Sequence, residues 1–294
     1  MDFGEINAYI NDKKEIQEKI INIVENDIDT DEYNCKFNGL STLLQTQDFS
    51  KYPEELKMLI YIISKITKNH HRQKDFFKKI EQILNLIQND IKNTYSNFEI
   101  FYFFKNNLRM ILLLFQINIL NAEESIYKYI TNQKKSKSKS YILYLYPELC
   151  KFIDQKESKI YEEEISKINN YEMHRQIGEN ESYLCSLIRN DSVEEFVTYV
   201  NKTNISLSKT KIKPSIFETN SFLINKEPTL IEYAAFFGSI GVFQYLRLQK
   251  VDLKGSLWPY VIHSNNPEMI HLLEDNHVVP ISRKYDECYL ESIK

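Results

Sequence analysis

The chain has 294 residues with only six glycines and seven prolines, a formal charge of −4, 43% hydrophobic and 27% charged residues. Average domains carry roughly 12% Gly plus Pro, so the turn-rich all-β sandwiches and barrels are disfavoured. No two glycines lie closer than Gly238 and Gly241, which argues against phosphate-cradling loops of the P-loop or dinucleotide type. The remaining class is all-α.

Residues 5–27 read as a helix, because Ile6, Ile10, Ile16, Ile20, Ile23 and Val24 form one apolar stripe. Polar residues 27–38 read as a loop, and Gly39 to Leu44 as a short helix. Pro53-Glu54-Glu55 has the residue types of a helix start. Leu56, Leu59, Ile60, Ile63 and Ile66 supply that helix's buried face. It ends in a basic run with His70-His71, read as a solvated helix end and not as a ligand pair. Residues 73–93 repeat the pattern. Residues 97–120 are apolar nearly all round and are expected to form one central helix. Helices are expected over 122–131, 141–154 and 156–170.

Between two of these lies Lys134-Lys135-Ser136-Lys137-Ser138-Lys139-Ser140, expected to be an exposed flexible loop. Residues 171–181 are expected to be a linker. The organisation expected is a helical domain of unknown function over 1–175, a bundle or helical array, followed by a repeat region over 176–294.

Charge is uneven. Residues 1–50 carry four basic and eleven acidic side chains, net −7, whereas 51–140 are net positive. The four cysteines (Cys35, Cys150, Cys185, Cys288) have no metal-ligand spacing, so no metal site is expected and buried free thiols are. No nucleophile elbow, zinc-helix, EF-hand or kinase signature occurs. No catalytic residue and no cofactor are assigned, and the chain is expected not to be an enzyme. The start has neither a basic nor an apolar leader segment. Its longest apolar stretch, Met110 to Leu120, is short of the ~20 residues of a membrane helix. An intracellular, cytoplasmic location is expected, with nuclear entry through Lys134–Ser140 left open.

The carboxy-terminal third contains a repeat. Leu187–Phe196, Ala234–Phe243 and Val261–Ile270 align without gaps. Each has a small or apolar pair, two variable residues, a turn residue, a connector and a new apolar pattern. Asp191, Gly238 and Asn265 hold the turn position, and all three residue types tolerate left-handed backbone angles. Pro267 stands where a second helix begins. The picture is helix, tight turn, antiparallel helix, repeated about three times. Residues 201–227 interrupt copies one and two, as a loop or hairpin-like finger that either marks the binding face or only covers the core. A further first helix is expected near Tyr285, with its second helix missing at Lys294.

Thr229-Leu230-Ile231-Glu232-Tyr233-Ala234-Ala235-Phe236-Phe237-Gly238-Ser239 resembles the start of an ankyrin repeat, matching at Thr229, Ala234, Ala235 and Gly238. Leu230, Glu232 and Ser239 replace the family's Pro and two His. Val242–Leu246 resembles its second helix. The offset from Ala234 to Val261 is 27, against the usual 33. Ile177–Asn180, Pro214–Leu223 and Glu232–Ser239 are similar to ankyrin proteins of parasitic protozoa that carry an amino-terminal helical domain of unknown function. The resemblance implies a short, divergent ankyrin array that binds a protein partner non-catalytically, through its concave surface or the 201–227 insertion. By resemblance the contact positions are Glu232, Phe236, Tyr260 and His263. The alternative is a nucleic-acid-binding or enzymatic amino-terminal domain using the basic region 51–140.

Overall fold

A computed structural model describes residues 3–69, 75–224, 226–281 and 285–292. The His70-His71 pair lies outside the described residues. Among those residues the chain is all-α, with eighteen α-helices and one isolated β-bridge, between Lys211 and Thr229. No helix among them is long and apolar enough to cross a membrane. The chain divides into two compact units, Met1–Tyr171 and Glu172–Lys294.

The first unit begins with α1 (Phe3–Glu25), α2 (Asp31–Gln45), α3 (Pro53–Asn69) and α4 (Phe76–Thr94). α1 packs on α2, α3 and α4. Ile20, Ile23 and Val24 of α1, Leu40 of α2, Leu56, Ile60 and Ile63 of α3, and Ile80 and Ile83 of α4 are all nearly inaccessible. The helix α2 corrects the expected loop over 27–38. Thr30 caps it by accepting a bond from the Tyr33 N–H at 3.1 Å, and Asp31 and Glu32 fill its first turn. Only Tyr33, Leu40 and Leu44 of α2 are buried, too sparse a stripe to stand out from polar sequence.

α5 (Asn97–Phe104) and α6 (Leu108–Gln116) replace the single central helix expected over 97–120. A capping box between Ser96 and Glu99 starts α5. Asn107 breaks the run. Its side-chain oxygen accepts from the Met110 N–H at 3.1 Å, starting α6, while its amide donates to Thr67 at 3.3 Å. An Asn side chain that competes with the backbone favours a cap over a helix interior.

α7 (Glu124–Thr131), α8 (Lys135–Tyr144), α9 (Tyr146–Leu149), a single 3₁₀ turn and α10 (Gln155–Ile165) complete this unit. The helix α8 corrects the flexible loop expected over 134–140. Its carboxy-terminal end, Tyr141 to Tyr144, is buried and anchors it. Upstream, Ser138 is buried and Lys139 pairs with Glu164 at 2.7 Å. Helix propagation from an anchored end needs no apolar residue in every turn.

Lys79 of α4 is 2% exposed. Its ammonium donates to the backbone carbonyls of Val24 at 2.9 Å and Asn26 at 2.5 Å. These carbonyls lie at the end of α1, where backbone acceptors lack helical partners and the dipole is negative. Lys79→Met keeps the stem and strands the carbonyls. It is expected to lower stability by about 2 kcal/mol in urea unfolding followed by circular dichroism.

The second unit takes up α11 (Tyr171–Ile177) from its second residue and holds α12 (Tyr183–Arg189), α13 (Val193–Thr203), α14 (Leu230–Phe237), α15 (Ile240–Leu248), α16 (Leu257–Ser264), α17 (Pro267–Asp275) and α18 (Asp286–Ser292). The helix α11 corrects the expected linker over 171–181. Its Arg175 is buried and pairs with Glu172 at 2.8 Å, and Gly178 ends it with φ 72°. The first helices pack in succession, α12 on α14, α14 on α16 and α16 on α18, and α13 packs on α15. Of the four cysteines, only Cys185 and Cys288 are buried; Cys35 is exposed and Cys150 half-buried. The expectation of buried thiols therefore fails for the first unit's pair, which sits on polar helix and turn surfaces.

Candidate interaction surface

Three helical hairpins carry the repeat: α12/α13, α14/α15 and α16/α17. Their turns place Asp191, Gly238 and Asn265 at φ 51°, 67° and 49°. The Ser192 N–H donates to Leu187 at 3.0 Å, and the Ser239 N–H to Ala234 at 3.0 Å. These are the six-to-one bonds of a Schellman ending, which tie off the last helical carbonyls.

A second set of left-handed residues ends each outer helix: Asn204, Lys250 and His277, at φ 50°, 61° and 53°. The Val251 N–H donates to Leu246 at 3.1 Å and the Val278 N–H to Leu273 at 3.0 Å. All four of those side chains are buried, giving the apolar contact such endings favour. This second turn was not read from the sequence. The spacing of 12 or 13 residues from the first turn was its one signal.

Neighbouring repeats are clipped by polar bonds. The Asp191 carboxylate accepts the Gly241 N–H at 2.9 Å and the Val242 N–H at 2.8 Å, so one repeat's turn caps the next repeat's outer helix. The Ser239 hydroxyl donates to the Ile188 carbonyl at 2.5 Å. Gly241 sits under this clip, where a Cβ would lie 2.6 Å from Val193 Cγ2.

Glu232 serves in the same way. One carboxylate oxygen accepts the Thr229 N–H at 2.8 Å and its hydroxyl at 2.9 Å, while Thr229 Oγ1 accepts the Glu232 N–H at 3.4 Å. This reciprocal pair is a capping box. The other oxygen accepts from Ser256 at 2.8 Å, at the start of α16. Glu232 also lines a cleft of about 310 Å³. Lys211, Glu227, Asp252, Lys254 and Ser208 line it too, bringing the insertion and the connector after α15 together.

The other three expected contact positions meet elsewhere. Phe236 is fully buried, Tyr260 is buried and His263 is half-buried. Phe222, from the insertion, stacks on Phe236 with centroids 5.5 Å apart and planes 6° apart. It meets Tyr260 edge-on at 5.0 Å and His263 at 4.1 Å. His263 Nε2 lies 2.9 Å from a Glu291 carboxylate oxygen on α18. Trp258 is a core residue, with its indole N–H donating to the Val278 carbonyl at 2.8 Å.

The insertion is woven into the unit. Its first residues, 201–203, finish α13. The Ile212 N–H donates to the Pro228 carbonyl at 2.8 Å, beside the Lys211–Thr229 bridge. Ile212, Phe217 and Leu223 are buried. The Thr219 N–H and hydroxyl both donate to the Gly178 carbonyl, at 3.0 and 2.7 Å. The Asn180 amide donates to the Lys213 carbonyl at 2.9 Å.

A buried polar cluster accompanies that weave. The Arg189 guanidinium pairs with Glu179 at 2.7 Å and donates to the Asn180 carbonyl at 2.8 Å and the Tyr233 hydroxyl at 3.0 Å. Burial pushes the Cys185 thiol up to about 11 and raises the Tyr233 phenol. Glu218 accepts the Asn220 N–H at 2.9 Å through Oε1. Its Oε2 is buried with no hydrogen-bond partner among the described residues. Desolvation raises the Glu218 carboxyl to about 7, with the Glu179 charge adding to it. Nothing in the local sequence marks Glu218 as buried, because its environment is made by distant segments.

Gly255, before α16, is required by close approach of backbone. A Cβ there would lie 2.3 Å from the Val279 carbonyl oxygen and 2.8 Å from the Ile281 nitrogen. Gly255→Ala is therefore expected to lower the thermal midpoint, equivalent to about 2 kcal/mol. A scan of the purified chain would measure it, and an unchanged midpoint would refute the close approach.

No group of three or more His, Cys, Asp or Glu side chains with metal-holding geometry occurs among the described residues. No family model, curated protein or solved structure matches the chain.

Proposed function

We propose that residues 176–294 form a divergent ankyrin-like array and that the protein is a non-catalytic scaffold binding a partner protein through it. The observation carrying this reading is the charged cleft around Glu232, built where the insertion meets the connector between successive repeats. Repeat units bury their apolar faces against neighbours and leave connector surfaces free for partners. The mixed charge of Lys211, Lys254, Glu227 and Asp252 suits a polar peptide segment bearing both signs. The resemblance to ankyrin proteins of parasitic protozoa fits the paired left-handed turns and the successive packing of first helices. The scaffold would act in the cytoplasm, or in the nucleus if the Lys134–Ser140 tract is a targeting signal.

The test is differential capture with the full chain. A Lys211→Glu, Lys254→Glu double variant leaves the apolar core untouched. It is expected to lose proteins that the wild type retains from native-cell extract at physiological salt. Identical retention by the two baits refutes the cleft as the binding surface.

An amino-terminal nucleic-acid site is the second reading. It has one favouring observation: exposed Tyr102 carries the Lys105 ammonium 3.3 Å from its ring centroid. Exposed ring-and-cation pairs suit single-stranded nucleic acid. Salt-sensitive retention of RNA by the full chain, lost in Tyr102→Ala, would favour that reading.

A further inference from the structure

We propose that the aromatic face of Phe236, Tyr260 and His263 recognises a partner segment bearing an aromatic side chain followed within one turn by a cation, and that the chain's own Phe222 and Lys226 side chains occupy it as a stand-in ligand. The proposal rests on the array binding a protein partner, and it names the chemistry of that partner.

The face belongs to the first helices α14 and α16, and Phe222 is not part of either. Phe222 stacks flat on Phe236 and edge-on to Tyr260, the two favoured aromatic geometries. The ring centroid of His263, held by Glu291, is 4.1 Å from that of Phe222. These three side chains make an aromatic slot across two repeats. Phe222 fills it and remains half-exposed, unlike Phe217 and Leu223 on either side of it in sequence, which are buried. Those two neighbours can hold the segment while the Phe222 ring leaves.

The backbone here bonds within itself. The N–H groups of Leu223 and Ile224 donate to Asn220, and that of Lys226 to Leu223. The Phe222 N–H donates to the Asn220 side chain at 2.8 Å. Side chains thus carry what the segment offers to the slot.

Lys226 completes the match. Its ammonium lies 3.1 Å from the Phe222 ring centroid and 5.3 Å from that of Tyr260. The rim is acidic at both ends. Glu291 bonds His263, and the Glu232 carboxylate adds to burial in raising the Tyr260 phenol. An aromatic ring with a cation over it satisfies both the slot and its rim. A partner presenting the same pair competes with a tethered copy, so displacement sets its apparent affinity.

The probe is a blocked, fluorescent peptide with the sequence Ser-Phe-Leu-Ile-Asn-Lys-Glu-Pro, that of residues 221–228. It is titrated against the full chain and its Phe222→Ala variant by anisotropy. The variant is expected to bind about tenfold more tightly than the wild type. A peptide with Ala in place of Phe is expected to lose that gain, as is Phe222→Ala combined with His263→Ala. Should Phe222→Ala lose its thermal transition, Lys226→Ala keeps the test open with an expected gain of about threefold. Equal binding to wild type and variant, no binding to either, or equal binding of the Phe-free peptide overturns the proposal. Loss of partner capture in the Lys211, Lys254 variant together with a negative peptide result would leave the scaffold reading standing and remove this one alone.

Discussion

Glu218→Gln is expected to stabilise the second unit at pH 8 by about 3 kcal/mol and to leave it nearly unchanged at pH 4.5. The carboxyl is buried, one of its oxygens has no hydrogen-bond partner among the described residues, and desolvation raises it from 4.5 to about 7. Below about pH 4.5 both folded and unfolded chains hold the proton, and the group contributes no pH dependence. Between about 4.5 and 7 the unfolded chain releases the proton while the folded chain keeps it. The unfolded state then binds fewer protons, so stability falls as pH rises through that window and levels off above it. Gln is neutral throughout and its carbonyl can still accept the Asn220 N–H. Urea unfolding of both proteins from pH 4.5 to 8.5 isolates the effect, because all other titrating groups cancel in the difference. Parallel curves for wild type and variant would show that Glu218 stays ionised in the fold.

That site also marks the limit of what residue types reveal. The left-handed turns at Asp191, Gly238 and Asn265 are legible because few residues tolerate positive φ, so a shared position filled by Asp, Gly and Asn stands out. Lys250 occupies the same backbone region with no such preference, and His277 with a weaker one than Gly or Asn. They are held there by the local bonds from Val251 to Leu246 and from Val278 to Leu273 and by the burial of those four side chains, which depends on the folded unit. The hidden helix over 31–45 and the helical Lys-Ser tract are illegible for a related reason. Each is fixed by a few apolar anchors that leave most of the polar stretch exposed: Tyr33 within it and Leu40 beyond it for one, and Tyr141 to Tyr144 beyond it for the other. Among the expected contact positions, the ankyrin resemblance singled out Phe236, Tyr260 and His263. The resemblance could not reveal that the Phe222 ring, from outside the helices, packs against all three.

Asp191→Ala is expected to lower stability by about 3 kcal/mol, because one side chain holds two roles. Its carboxylate accepts two N–H groups at the start of α15, at 2.9 and 2.8 Å, where the helix dipole favours negative charge. Its backbone sits at φ 51°, which Asp tolerates better than Ala. Losing the side chain strands two amides at a half-buried repeat junction and strains the turn as well. Asp191→Asn separates the two roles. It keeps the turn conformer and one acceptor oxygen but removes the charge, so a loss of about 1 kcal/mol is expected. Asp191→Gly relieves the backbone and deletes both bonds, which places it between the other two. Chemical denaturation of the three variants gives the order Asn, Gly, Ala from most to least stable. If Gly matched or exceeded the wild type, the inter-repeat cap would contribute nothing, and the aspartate would stand at this turn for its backbone alone.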